Sequence, residues 1–199
     1  MQILIIAKSK KYGAFCLAGI DVQSNRFVRI LGSEENGAFS NEDCILEDGR
    51  EIQKLDLVEL DICPTENNNA QTENYILDSK YAKLLKKCFI DDIPIVPYQR
   101  CFFDICDREY FNRNEYSRLN HSLEMVTVSN FYVEDGQRKC SFDYKNKKYQ
   151  NISFTDLDYL NVGTLEFEKA LIIVSLSGED GFTSTTNKFY LFVSAVYQL

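Results

Sequence analysis

No apolar run in this 199-residue chain approaches the roughly 18 residues of a membrane-spanning helix, so no membrane partner is expected. The apolar start, Met1–Ile6, is short and has no basic segment before it. No secretion signal is therefore expected, and the expected compartment is the cytoplasm. The seven cysteines (16, 44, 63, 88, 101, 106 and 140) form no CxxC pair, which argues against a zinc ribbon and for reduced, buried thiols. There is one histidine, His121, and a general base needs an orienting partner that the sequence does not display. Ser175 and Ser177 lie in "VSLSGEDG", which is no Gly-x-Ser-x-Gly elbow; a Walker loop and a Gly-x-Gly-x-x-Gly turn are missing too. No catalytic residue, no cofactor and no enzyme activity is expected. Positive charge is also in deficit. Lys and Arg number 22 against 30 Asp and Glu, the net charge is -8, and residues 1–100 and 101–199 carry equal shares of that excess. This argues against a protein that coats nucleic acid by bulk charge.

What is present is a real core and short-period alternation. Hydrophobic residues make up 45% of the chain. Gln2–Ala7 reads as a buried strand, and Phe15–Val22 as a strand in which Gly19 marks a bulge or a close backbone approach. Arg26–Leu31 alternates cleanly and follows Gln23-Ser24-Asn25, so the two runs read as a hairpin. Asp48-Gly49 is a turn, and Leu55–Cys63 reads as one long strand with an apolar face. The Asn-rich stretch from Pro64 to Tyr75 reads as a loop. A helix is expected near 79–88, capped by Asp78 or Ser79, with Tyr81, Leu84, Leu85 and Cys88 on one stripe. Residues 104–119 read as a second helix or an irregular linker. From Ser122 onward short strands dominate: 122–128, 130–134, 138–144, 149–154, 171–176 and 189–197. Turns are expected at Asp135-Gly136 and Asn146-Lys147, a short helix or turn from Thr155-Asp156 to Leu160, and a flexible loop over "SGEDGFTSTTNK". This spacing suggests small barrels or a sandwich. No internal repeat is evident.

The charged and polar clusters have two readings each. Lys8, Lys10 and Lys11 follow the first strand, with Arg26 and Arg29 on a nearby strand and Tyr12 and Phe27 within reach as stacking partners. They read either as phosphate contacts or as a solvated turn. Arg138, Lys139, Lys145, Lys147 and Lys148, with Tyr144 and Tyr149, read as a strand-tracking hairpin or as an ordinary charged face. Gln71, Glu73 and Asn74 could read a base edge or hold a loop. Asp104, Asp107 and Glu109 read as a solvated acidic face, so no metal is expected.

Several stretches together resemble the dual OB-fold domain family of prokaryotic, mostly uncharacterised proteins. They are "ILIIAKSKKYGAFCLAGID", "NRFVRIL", "LEDGREIQKLDLVEL", "QTENYIL", "HSLEMVTVSNFYV", "SFDYKNKKYQNISFTDLDY" and "IIVSLSGED … KFYLFVSAVYQL". In "NRFVRIL" the family's Trp-Ile-Arg-Pro becomes Phe27 to Leu31, without the proline. The resemblance implies a mostly β chain of two OB-like barrels with one or two short helices. Residues 1–100 would form the first; residues 101–199 would supply a linker or helix and the second, with the junction near 90–120. By analogy of fold it implies nucleic-acid binding, single-stranded or structured, RNA or DNA, with Gln71, Glu73 and Asn74 in a family motif. The alternative partner is a protein, the chain serving as an interaction or assembly module of a bacterial defence or regulatory system.

Overall fold

Alternating apolar residues become strands wherever a neighbouring strand can complete their hydrogen bonds, and the chain is mostly β as expected. The computed structural model describes residues 1–11, 14–34, 37–65, 70–78, 82–96, 101–179 and 181–199, leaving aside the side chains of 11, 14, 181 and 182. It divides into two units. Unit 1 comprises Met1–Asn67 and Glu73–Pro97; unit 2 comprises Asn68–Thr72 and Tyr98–Leu199. The sequence boundary at residue 100 therefore misses one exchange, the early loan of Asn68–Thr72 to unit 2. Its reason is packing: Ala70 is buried in the unit 2 core.

Unit 1 contains β1 (Gln2–Lys11), β2 (Ala14–Asp21), β3 (Arg26–Leu31), β4 (Asp56–Glu59), β5 (Ile62–Pro64), β6 (Asn74–Leu77) and β7 (Lys83–Lys87), in the sheet order β5-β6-β3-β2-β1-β4-β7. The expected β2–β3 hairpin is present. Asp21 holds its turn by accepting from the Ser24 hydroxyl at 2.5 Å and the Ser24 amide at 3.2 Å. Gly19 is a close approach: a Cβ there would sit 2.2 Å from Ile3 Cγ2 and 2.8 Å from the Leu4 carbonyl oxygen. It pairs with Ile5 beside a bulge, where the register shifts between Ile5 and Ala7. The core is chiefly aliphatic, built from Ile3, Ile5, Leu17, Val28, Ile30, Ile52, Val58 and Leu60 around Phe39. Each such side chain contributes about 1.5–3 kcal/mol by leaving water.

Two expectations fail in unit 1. The single strand over Leu55–Cys63 is divided into β4, which pairs with β1, and β5, which pairs with β6. Leu55 enters at a φ of +65°, outside the extended region. The helix near 79–88 is replaced over its described part by β7, antiparallel to β4 with Val58 opposite Leu84. A helix of about ten residues is marginal in water, whereas the open edge of β4 supplies a ladder. Its proposed cap at Ser79 and its Tyr81 lie outside the described residues.

Unit 2 contains α1 (Phe102–Ile105), β8 (Tyr110–Asn112), α2 (Arg113–Tyr116), β9 (Leu123–Val133), β10 (Lys139–Tyr144), β11 (Lys147–Phe154), β12 (Leu165–Leu176), α3 (Gly181–Thr186) and β13 (Lys188–Gln198). The order is β11-β10-β9-β12-β13-β8, and a parallel pairing of β11 with β13 closes five strands into a barrel. This is the OB path, in which the first strand pairs with the second and fourth and the third runs parallel to the fifth. Residues 104–119 thus hold a strand between two short helices, and the loop expected after Leu176 carries α3. The two strands expected over 122–134 are one. The break in alternation is a bulge at Asn130 (φ +52°): Val126 and Val128 point inward before it, Phe131 and Val133 after it. A second bulge on β11 places Asn151 at φ +60°. The short helix after Thr155 is present as a 3-10 turn over Leu157–Tyr159, capped by the Asp156 carboxylate, which also accepts from the Val196 amide at 2.8 Å. The core is aromatic, with Phe131 within 6.4 Å, centroid to centroid, of Phe142, Phe154 and Phe167.

Candidate nucleic-acid interface

The bulge at Ile6 decides the fate of the first lysine. Before it, Ile3 and Ile5 point to the core; after it the phase inverts, and Lys8 stands opposite the core residue Leu17. Lys8 is 5% exposed. Its ammonium donates to Glu51 Oε1 at 2.5 Å and to the Ile52 carbonyl at 2.8 Å, and lies 4.9 Å from the centre of the Phe15 ring. It is a structural cation, and the reading of Lys8 as a phosphate contact is corrected. Lys10, two residues further along the same row, is exposed. The side chain of Lys11 and all of Tyr12 lie outside the described residues.

Arg26 and Arg29 do not form one stripe. Strand alternation puts them on opposite rows of β3: Arg26 is exposed on the row of the buried Val28 and Ile30, and Arg29 is half-buried on the row of Phe27. The fold brings Arg29 to Glu73 and Asn74 instead. Arg29 donates its amide to the Glu73 carbonyl at 2.8 Å and stands opposite Asn74 in the parallel β3–β6 ladder. Glu73 and Asn74 are buried at the start of β6, not on the expected loop. Gln71 belongs to the other unit: its side-chain amide reaches the Leu176 carbonyl at 3.4 Å, while Thr72 donates to the Asn120 carbonyl at 2.9 Å.

The second basic patch fares differently. Arg138, Lys139, Lys145, Lys147 and Lys148 are all exposed on the β10–β11 hairpin. Lys139 donates to Ser153 Oγ at 2.9 Å across the two strands, and Lys148 stands opposite Asp143. The neighbouring strand adds Tyr132, 39% exposed and opposite Ser141. Sequence reasoning overlooked Tyr132. The bulge at Asn130 hides it, because uninterrupted alternation from Val128 would turn it inward. Tyr149 is not a surface ring; it is buried and donates its hydroxyl to the Phe103 carbonyl at 2.8 Å.

His121 does have a partner. Its Nε2 lies 2.7 Å from Glu124 Oε1, and its ring stacks on Phe102 at 4.8 Å. Glu124 is fully buried and caps α1, accepting from the Phe102 amide at 2.8 Å and from the Cys101 thiol at 3.2 Å. Burial raises the Glu124 carboxyl above the ordinary glutamate range and pushes the Cys101 thiol up to about 12. A protonated thiol walled in this way is a poor nucleophile. The signal was available: Glu124 shares an inward row with Val126 and Val128. Asp104 meets Lys145 rather than Asp107 or Glu109. Among the described residues no group of three His, Cys, Asp or Glu side chains is placed to hold a metal ion.

Outside comparison gives one positive finding. A family model, that of the dual OB-containing domain, matches residues 1–196. No curated protein and no solved structure matches the chain.

Proposed function

We infer a function from one premise, that this chain belongs to the dual OB-containing domain family. OB-fold domains generally bind nucleic acid or protein. Our reading is a binding protein without catalysis, acting in the cytoplasm on single-stranded or structured nucleic acid through the β9–β10–β11 face of unit 2. The observation that carries it is the exposed hairpin of Arg138, Lys139, Lys145, Lys147 and Lys148 beside Tyr132. In the OB path these are the first three strands, and the second and third carry the usual ligand face. Cations there meet phosphates, an open ring stacks a base, and local rather than net charge does the work.

The test is fluorescence anisotropy with labelled single-stranded RNA, single-stranded DNA and duplex at two salt concentrations. Changing Lys139 and Lys148 to Ala should lower the salt slope on a single strand by about 1.4, two contacts at ~0.7 each. Absence of binding at low salt sinks the reading. A second reading, a protein-interaction module, is favoured by two open side chains of unit 1, Phe89 (76% exposed) and Ile95 (86%). A stable partner that survives nuclease treatment, with no binding to any of the three nucleic acids, would favour it.

A further inference from the structure

At its tip the β10–β11 hairpin overhangs a cleft of about 260 Å³. Its wall is aromatic. Phe103 from α1 lies 4.7 Å, centre to centre, from Tyr149 and 5.8 Å from Tyr144. The Tyr149 hydroxyl is committed to the Phe103 carbonyl, which fixes that ring. Tyr144 is half-buried, so part of its surface is open. Polar groups complete the lining: Asp104, Asn146, Lys145 and Lys147. Lys145 engages two of these features at once. Its ammonium donates to Asp104 Oδ1 at 2.5 Å and lies 5.1 Å from the centre of the Tyr144 ring. The Lys145 and Asp104 side chains are 62% and 32% exposed, so the pair is weak and readily exchanged.

We propose that this cleft takes the guanine base of one nucleotide, with Lys145 holding the place until the base arrives. The proposal rests on the nucleic-acid reading above and names its base. The Tyr144 face beneath Lys145 is a stacking surface. The Asp104 carboxylate offers only acceptors. Guanine alone among the common bases presents two adjacent N–H donors on one edge, N1–H and the N2 amine, and a carboxylate accepts both as a fork. Adenine and cytosine set an amine beside a ring nitrogen that is itself an acceptor, and uracil flanks its single N–H with two carbonyls; each turns a lone pair toward Asp104. When the base replaces it, the Lys145 ammonium is released to the rim, where with Lys147 it meets the phosphate. The cleft is smaller than the ~300–1,000 Å³ of pockets that enclose a drug-sized ligand, which suits one base with its sugar outside. That nucleotide can be free or part of a strand.

The experiment uses the full chain as wild type, Asp104→Asn and Lys145→Ala, each checked for an unchanged melting curve. GMP, IMP, AMP, CMP and UMP are titrated by calorimetry. Labelled single strands of about eight nucleotides, within the ~4–16 that an OB fold covers, are titrated with and without guanine by anisotropy. The expected result is at least about tenfold tighter binding of the guanine-containing strand. Asp104→Asn should abolish that preference, Lys145→Ala should keep it, and IMP, which lacks the N2 amine, should lose to GMP. Binding of GMP with no strand binding assigns the ligand to free nucleotide, keeping the cleft and overturning the strand-binding function. Strand binding without a guanine preference, or a preference that survives Asp104→Asn, overturns the cleft proposal and leaves that function standing. No binding of either overturns both.

Discussion

The two units follow one path and differ in how they end it. In unit 2, β12 is continuous over 12 residues and pairs with β9 and β13 along the same stretch, so every wall of the barrel has a shared strand. In unit 1 the corresponding strand hands its partners over. β4 pairs with β1, β5 pairs with β6, and the second edge of β4 is taken by β7. Unit 2 is a closed five-strand barrel and unit 1 a curled half-barrel. Both bulge on their first strand, at Ile6 and at Asn130, yet Gly19 and Ala18 face the first bulge and Phe142 faces the second. The lesson is that closure follows side-chain volume. Rings fill the interior of the closed barrel, while aliphatic residues suffice for a curled sheet whose strands approach as closely as Gly19 allows.

The sharpest way to break this comparison is to empty the closed barrel. Phe131→Ala should cost about 3–5 kcal/mol in urea unfolding, because four rings share that space and none can collapse into it. Filling the open sheet comes next: Gly19→Ala forces a methyl against Ile3 and the Leu4 backbone and should cost about 3 kcal/mol. A third substitution separates the lysines. Lys8→Ala should destabilise by about 2 kcal/mol, since the buried Ile52 carbonyl loses its donor, whereas Lys10→Ala should stay within ~0.5 kcal/mol. Equal effects would refute the inverted phase of β1.

The smallest effect is one of sign, and pH reads it. In unit 1, burial opposes ionisation of Asp43, but donors from Ser33 and Ser40 prevail and hold the carboxyl below 3.8. Its contribution is present above that value and lost as pH falls through the folded pKa. In unit 2, burial raises Glu124 above 4.5. The stability it contributes is present below 4.5 and lost as pH rises through the folded pKa. Urea midpoints should therefore show wild type losing ground to Asp43→Asn on acidification below 3.8, and to Glu124→Gln as pH climbs from 4.5. Parallel trends would dissolve the contrast.

Strand alternation, the β2–β3 hairpin and the Asp48-Gly49 and Asp135-Gly136 turns were legible in the sequence because each is a local preference; Gly49 and Gly136 do take positive φ. The bulged residues Ile6 and Asn130 were not, and the misreadings of Lys8, of Tyr132 and of the break within 122–134 descend from them. One extra residue inverts every side chain after it, which turned Lys8 inward and brought Tyr132 out. β7 was illegible for another reason: Leu84 and Leu85 satisfy a helical stripe as well as a strand, and only the open edge of β4 chooses. Glu73 and Asn74 carried a motif but gave no sign of burial, because their partner strand β3 lies more than forty residues away.

The loan of Ala70–Thr72 to unit 2 bears on how this gene can be divided. Ala70 sits in the second core, and Gln71 packs so near Gly178 that a Cβ there would meet its amide at 2.8 Å. The ribosome therefore delivers a piece of the second unit before the first has its sixth and seventh strands. A cut near residue 97 would leave one half carrying an internal segment it cannot use and the other short of part of its interior. The two units are interleaved in sequence, and neither recombination nor a protease acting at a single linker can release them as two intact parts.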